Sequence, residues 1–378
     1  VNDSYRQIIT APVGDRTDLF LTTARRLGTP LGNVEKDFWV CWTLGVLYHR
    51  LPQGGPRLLF KGGTSLSKAY GLIRRFSEDI DVTVFRDDLG QHATVSDLEA
   101  LSGKRRKAQL DAIRNACQQY ITGPLRTALE EQLREDTGGQ GSVLVDPDDS
   151  DQQTLLVSYP AVTSDAYVRP VVRIESGAKS ALDPNRLVTL RPYLADEVDM
   201  PDLAVTDVRT IEPGRTFWDK VVILHGLRRW FERRGQLRQE GQRISRHYYD
   251  LHCLLQSKIG AATLADRAMG TECVRHARLF FDRPDYDLAS ATLGTFALMP
   301  LAEMTDAVAR DYRDMVGMIF GTPPAFDEVL ASITAIEGAI NTVARDGGPA
   351  RRTLPVHSRL AVNGPDLRVR NDRHGSPG

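Results

Sequence analysis

Apolar residues recur at helical spacing through residues 16–28, ending at Gly28, and predict a short amphipathic helix. Asn33 then stands as the N-cap of a second helix, VEKDFWVCWTLGVLYHRL, stopped by Pro52 and Gly54. Apolar side chains occupy most of its circumference, so it is expected to be buried. A short strand at 57–60 breaks at Gly62–Gly63, a helix is expected from Ser65 to Arg75, and alternation from Asp79 to Phe85 predicts a strand. Residues 103–134 are charged and helix-favouring, whereas 136–151 read as a loop or mobile insertion. Further β-like runs occupy 154–160, 167–176 and 186–190. From Arg215 the pattern is helical nearly to Arg345, with breaks at Gly235, Pro284, Pro300 and Pro323–Pro324. The fold class expected is α/β (α+β): a mixed sheet with flanking helices, followed by a helical module.

Composition narrows the function classes. A chain of 378 residues can bury a substantial core in one large or two closely packed domains. Its formal net charge of −1 excludes a globally basic nucleic-acid binder, so any RNA contact has to come from a local patch. Cys41, Cys117, Cys253 and Cys273 are far apart and form no CxxC pair, which argues against a zinc site or a disulfide framework. No apolar run approaches the roughly 18 residues of a membrane span, and the first residues lack the build of a secretion signal. A soluble, cytoplasmic protein without a membrane partner is expected.

The chemistry centres on residues 61–85. Glycines at 62 and 63 let a ligand approach the backbone, and a helix start at Thr64–Ser65 offers free amides to a phosphate. The two hydroxyls are placed to cap the helix, to bind phosphate, or both. Asp79 and Asp81 sit two apart, so on a strand both carboxylates leave the same face, while Ile80 and Val82 mark the other face as core. Paired carboxylates repel unless a cation lies between them, and magnesium, which bridges acidic residues and phosphate oxygens, is the natural one. The plainer reading is a solvated strand face. His247 and His252 are not read as a metal pair, because a spacing of five turns them apart on a helix.

The order GG[ST], helix, then DxD on the next strand resembles the polymerase-beta-like nucleotidyltransferases. The fuller string KGGTSLSKAYGLIRRFSEDIDV resembles the AbiEii/AbiGii toxin family of type IV toxin–antitoxin and abortive-infection systems, and the likeness runs from VEKDFWV (34–40) to IEGAIN (336–341). The resemblance implies that the turn Gly62, Gly63, Thr64 and Ser65 binds nucleotide, with Gly63 and Ser65 on the triphosphate. It implies that Asp79 and Asp81 bind Mg2+ (or Mn2+), with Glu175 in VVRIESG as third ligand. An ion pair between Glu175 and Arg173 is the alternative. Lys220, in RTFWDKVVILHGL, matches the lysine that reaches the phosphates. In SRHYYDLHCLL, Asp250 matches a further catalytic acid and Arg246 a phosphate-binding arginine, although His247 stands where an acid is usual. Residues 1–210 then form the nucleotidyltransferase domain, 211–347 a helical domain, and 348–378 a basic tail expected to be disordered.

Two further expectations concern control and acceptor. Ser77 lies two residues before Asp79, so modification of its hydroxyl would place negative charge at the mouth of the site. Arginines dominate residues 228–246, with Trp230 and Phe231 interleaved, and Arg228, Arg229, Arg233 and Arg234 are candidates for RNA binding. A solvated helix face is the simpler account of that run. The resemblance implies transfer of nucleotides from NTP to an RNA acceptor, the 3′ end of tRNA, stopping translation, with an antitoxin encoded nearby. The alternatives are transfer to a protein or small-molecule hydroxyl, and a nucleotide-binding module without turnover.

Overall fold

The structure, a computed structural model, describes residues 3–162, 169–238 and 244–342. The expected basic tail, the start of the predicted strand at 167–168 and the end of the basic run at 239–243 lie outside the described residues. The described residues belong to one compact unit, Val1–Val343.

Helices α1 (Asp3–Thr10), α2 (Val13–Leu27) and α3 (Leu31–His49) open the chain. Helix α3 begins at Leu31, earlier than the Asn33 cap predicts, and Asn33 instead donates to Thr29 Oγ1 at 2.9 Å. Burial of α3 is nearly complete, as its apolar circumference predicts, yet it includes the charged residues Glu35, Lys36 and Asp37. Strand β1 (Leu58–Lys61) runs into a single turn, α4 (Gly62–Thr64), and a π-type turn over Ser65–Ala69. The helix expected to reach Arg75 therefore ends early. Gly71 turns the chain at φ +60°, and Arg74–Phe76 then runs extended against Met318–Phe320.

Strand β2 (Asp79–Val84) is followed by α5 (Val95–Ala100), α6 (Gly103–Tyr120) and α7 (Arg126–Thr137). Strands β3 (Ser142–Val145), β4 (Thr154–Ser158), β5 (Val171–Gly177), β6 (Asn185–Leu190) and β7 (Val205–Ile211) complete the sheet. The stretch 136–151 thus contains a strand as well as a loop: SVLV pairs antiparallel with β4 and buries Val143. Strand β7 has no counterpart among the predicted runs.

The strand order is β3-β4-β5-β2-β1-β7-β6. β2 runs parallel to β5 and antiparallel to β1, so the sheet is mixed. That agrees with the expected α/β class. The remaining chain is helical: α8 (Pro213–Arg234), α9 (Ser245–Gln256), α10 (Gly260–Ala265), α11 (Arg267–Phe280), α12 (Ala302–Met315) and α13 (Phe326–Asn341). One apolar cluster joins the sheet to α1–α3, α6 and α7, and a second lies among α8–α13. Leu66 and Ile73 belong to the second cluster, so the segment between β1 and β2 is anchored among the C-terminal helices. The four cysteines are free, and no helix among the described residues is long and apolar enough to cross a membrane.

Candidate active site

β1 delivers the chain to Gly62 at φ +81°, a backbone region that L side chains avoid. A Cβ at Gly62 would stand 1.9 Å from Asp81 Oδ2, and a Cβ at Gly63 would stand 2.3 Å from Arg75 Nη2. The glycine pair is therefore required by two side chains, Asp81 and Arg75, that lie directly against it. Thr64 and Ser65 are fully buried. Thr64 donates to the Asp79 carbonyl and is hydrogen-bonded to Ser77 Oγ at 2.8 Å, and Ser65 donates to the Gly62 carbonyl at 2.8 Å. Both hydroxyls hold the turn together.

Asp79 and Asp81 leave the same half-buried face of β2, with Ile80 and Val82 buried beneath. The parallel register sets Asp81 opposite Glu175 and Asp79 opposite Arg173. Burial, then the charges of Asp81 and Asp79, push the Glu175 carboxyl up to about 7. Burial, then Glu78 and Asp81, likewise raise Asp79, while Arg246 and Arg173 pull it back. The ion pair weighed against the ligand role exists, with Arg173 Nε 3.3 Å from Glu175 and Arg173 Nη2 3.2 Å from Asp146. Lys61 Nζ is 4.0 Å from Asp81.

Among the described residues no three His, Cys, Asp or Glu side chains are gathered closely enough to hold a metal. The donor set nonetheless fits a hard divalent cation: three carboxylates share one face, and burial, reinforced by neighbouring carboxylates, raises Asp79 and Glu175.

Packing of α8 against α9 brings Lys220 and Asp250 together across the chain. Lys220 Nζ is 2.9 Å from Asp250 Oδ2 and 3.4 Å from His247 Nδ1. Asp250 is wholly buried and also receives two bonds from Arg75, Nε to Oδ1 at 2.8 Å and Nη2 to Oδ2 at 2.9 Å. Burial opposes ionisation of Asp250, but Arg75 and Lys220 outweigh it and hold the carboxyl far below its ordinary value. Burial lowers Lys220, with Asp250 opposing and Arg75 and Arg246 adding to the effect. Burial, then Lys220 and Arg246, keep His247 well below its usual range and so uncharged. His247 replaces the usual acid as a neutral neighbour of the lysine.

A small cavity lined by Arg75, Ser77, Glu78, Asp79 and Arg246 joins the two halves, with Met315 and Met318 closing it. The structure thus assembles the predicted turn, Ser77, Asp79, Asp81, Glu175, Lys220, Arg246 and Asp250 around one centre. The four candidate RNA-binding arginines are engaged elsewhere. Arg228 and Arg229 pair with Glu232, Arg233 with Asp287 at 3.6 Å, and Arg234 with Asp285 at 2.6 Å. Phe231 is buried, and Trp230 packs edge-on to Tyr286.

Sequence reasoning missed Arg75, which it placed at a helix end. It also assigned no role to α3, where Lys36 bonds Glu78 at 2.5 Å and Asp37 bonds Lys68 at 2.5 Å and the Tyr193 amide at 2.6 Å. The available signal was three consecutive charged residues in an otherwise apolar helix.

A mixed sheet that carries this turn and carboxylate pair, completed by a lysine from the following helices, is the arrangement of a nucleotidyltransferase. The chain belongs to the AbiEii family of nucleotidyl transferase toxins of type IV toxin–antitoxin systems, whose family model matches residues 45–332. A solved structure with a similar fold is MenT4, a nucleotidyltransferase toxin from Mycobacterium tuberculosis H37Rv, at 16% identity and a TM-score of 0.48, covering 86% of this chain and 91% of that one. No curated protein matched the chain.

Proposed function

We propose that this toxin transfers a nucleotide from NTP to an RNA acceptor, the 3′ end of tRNA, and thereby blocks translation. The observation that supports the chemistry best is the register of β2 and β5, which sets Asp81, the side chain that lies against Gly62, opposite Glu175, with Asp79 on the same face. In this reading the amides of the Gly62–Ser65 turn take the triphosphate. Lys220 and Arg246 neutralise charge on the phosphates as it develops. Asp79, Asp81 and Glu175 hold Mg2+ or Mn2+, which supplies charge for the attacking and leaving oxygens when bound. The acceptor hydroxyl oxygen bonds to the α-phosphorus, the bond to pyrophosphate breaks, and Asp81 or Glu175 takes the hydroxyl proton.

Residues 1–210 then act as the transfer domain and 211–347 as its helical companion, in the cytoplasm, with an antitoxin encoded nearby. Modification of Ser77, which lines the cavity beside Asp79, would place negative charge on the phosphate path. The candidate RNA-binding residues Arg228, Arg229, Arg233 and Arg234 would contribute once they exchange acidic partners for phosphates. Their present pairing with Glu232, Asp285 and Asp287 favours a second reading, in which the acceptor hydroxyl belongs to a protein or small molecule.

One assay separates these readings. Purified protein is incubated with Mg2+, each labelled NTP, and total RNA or lysate protein. Label in tRNA supports the main reading, and label in protein or a small metabolite supports the second. Tight NTP binding without incorporation would leave only a binding module. Asp79→Ala is expected to abolish incorporation, and a fully active variant would remove the site assignment.

A further inference from the structure

We infer that Arg75 is a positioning residue for the lysine arm of the centre, locking Asp250, and through it Lys220, against the glycine turn. The inference rests on the nucleotidyl-transfer reading and adds to it a residue that links the two halves of the site.

The geometry carries it. The Arg75 guanidinium meets both oxygens of a wholly buried carboxylate in a forked contact, at 2.8 and 2.9 Å. The same carboxylate accepts Lys220 at 2.9 Å, so a single anion sets the position of two cations. Arg75 also lies so close to Gly63 that a Cβ there would come within 2.3 Å of its Nη2. The second glycine of the turn is thereby explained by Arg75, as the first is by Asp81. The backbone on either side is pinned to the C-terminal helices: Phe76 N donates to the Met318 carbonyl and Phe320 N to the Arg74 carbonyl, both at 2.7 Å. Arg75 therefore joins two segments far apart in sequence, the phosphate turn and the α8–α9 pair. A lysine in its place keeps the charge but gives up the fork.

A structural pair and a positioning pair differ in what they move. The charged groups facing Lys220 are Asp250, Arg75 and Arg246, with neutral His247 alongside. Burial lowers the ammonium most, Asp250 opposes it, and Arg75 and Arg246 add to the lowering, so removing the Arg75 charge is expected to shift Lys220 upward.

The test compares Arg75→Lys, Arg75→Gln, Gly63→Ala and the Gly63→Ala/Arg75→Lys double variant with the unmodified protein. Circular dichroism first establishes which variants fold, and nucleotide incorporation is then measured across pH. Arg75→Lys and Gly63→Ala should each lower kcat on the order of 100-fold, the scale expected for a misplaced catalytic group. In Arg75→Lys, KM for NTP should change by less than about threefold, and the double variant should be no worse than either single one. Arg75→Gln should in addition move the alkaline limb of the pH–rate profile to higher pH. Full activity of Arg75→Lys, strictly additive losses in the double variant, or an unmoved limb in folded Arg75→Gln would each overturn the inference while leaving nucleotidyl transfer intact. If even the unmodified protein transfers no nucleotide, the functional reading fails on its own. Nitrogen NMR of the Lys220 ammonium then decides: an upward titration shift in Arg75→Gln sustains the coupling, and an unchanged titration overturns it.

Discussion

Asp79 and Glu175 hold their positions at an electrostatic cost, and pH reports it. The Glu175 carboxyl is raised from an ordinary 4.5 to about 7, so the folded state keeps a proton that the unfolded chain gives up. Metal-free stability therefore falls as pH rises through that window. Glu175→Gln should raise the melting temperature at about pH 8 and change little at about pH 4, where both states are protonated. Adding Mg2+ should stabilise the unmodified protein at the higher pH and stabilise Glu175→Gln less. Asp250 has the opposite sign: its depressed carboxyl stabilises the fold above its unfolded value, and that contribution is lost as pH falls through its folded value. Asp250→Ala leaves Arg75 and Lys220 buried without a counter-ion and should cost about 3–5 kcal/mol in denaturant unfolding. Both aspartates of the DxD pair, Lys220 and Asp250 were legible because each sits in a short string with a distinctive neighbourhood. Arg75 was not, because its partner lies 175 positions away.

Between β1 and β2 the chain makes a turn that local propensity does not predict. Apolar spacing favours a helix through Arg75, yet the helical turns end at Ala69 because Ile73 is buried among the C-terminal helices and Arg75 reaches Asp250. Two glycines in this segment differ in what they tolerate. Gly62→Ala combines φ +81° with a Cβ 1.9 Å from Asp81 Oδ2, and should lose ~1–3 kcal/mol of stability together with activity. Gly71→Ala also sits at positive φ but meets nothing within 4 Å, so it should cost only ~1 kcal/mol and leave incorporation nearly intact. Denaturant melts and the labelled-NTP assay on both variants check the contrast. Strands β3 and β7 escaped the sequence reading for a related reason. SVLV is short and follows a glycine-rich turn, and β7 interrupts its apolar positions with Thr206, Asp207 and Arg209.

At the scale of the molecule, the surface charge decides how an acceptor could approach. The arginine-rich end of α8 is compensated by Glu232, Asp285 and Asp287, so tRNA would exchange one set of ion pairs for another. Replacing Arg228, Arg229, Arg233 and Arg234 by glutamine should flatten the salt dependence of tRNA binding by less than about one counterion per arginine. Glu232→Gln, which removes the carboxylate that Arg228 and Arg229 share, should tighten binding at low salt; fluorescence anisotropy with labelled tRNA measures both. By itself the sequence determined the glycine turn, the same-face carboxylate pair, the buried character of α3 and the helical nature of the C-terminal residues. These depend on spacing and periodicity within a few positions. Tertiary structure alone decided that Asp81 faces Glu175, that one carboxylate anchors both Arg75 and Lys220, and that the basic run is neutralised. Those outcomes depend on strand register and helix packing, which join residues far apart in sequence, 175 positions for Arg75 and Asp250, and are set by burial across the whole chain.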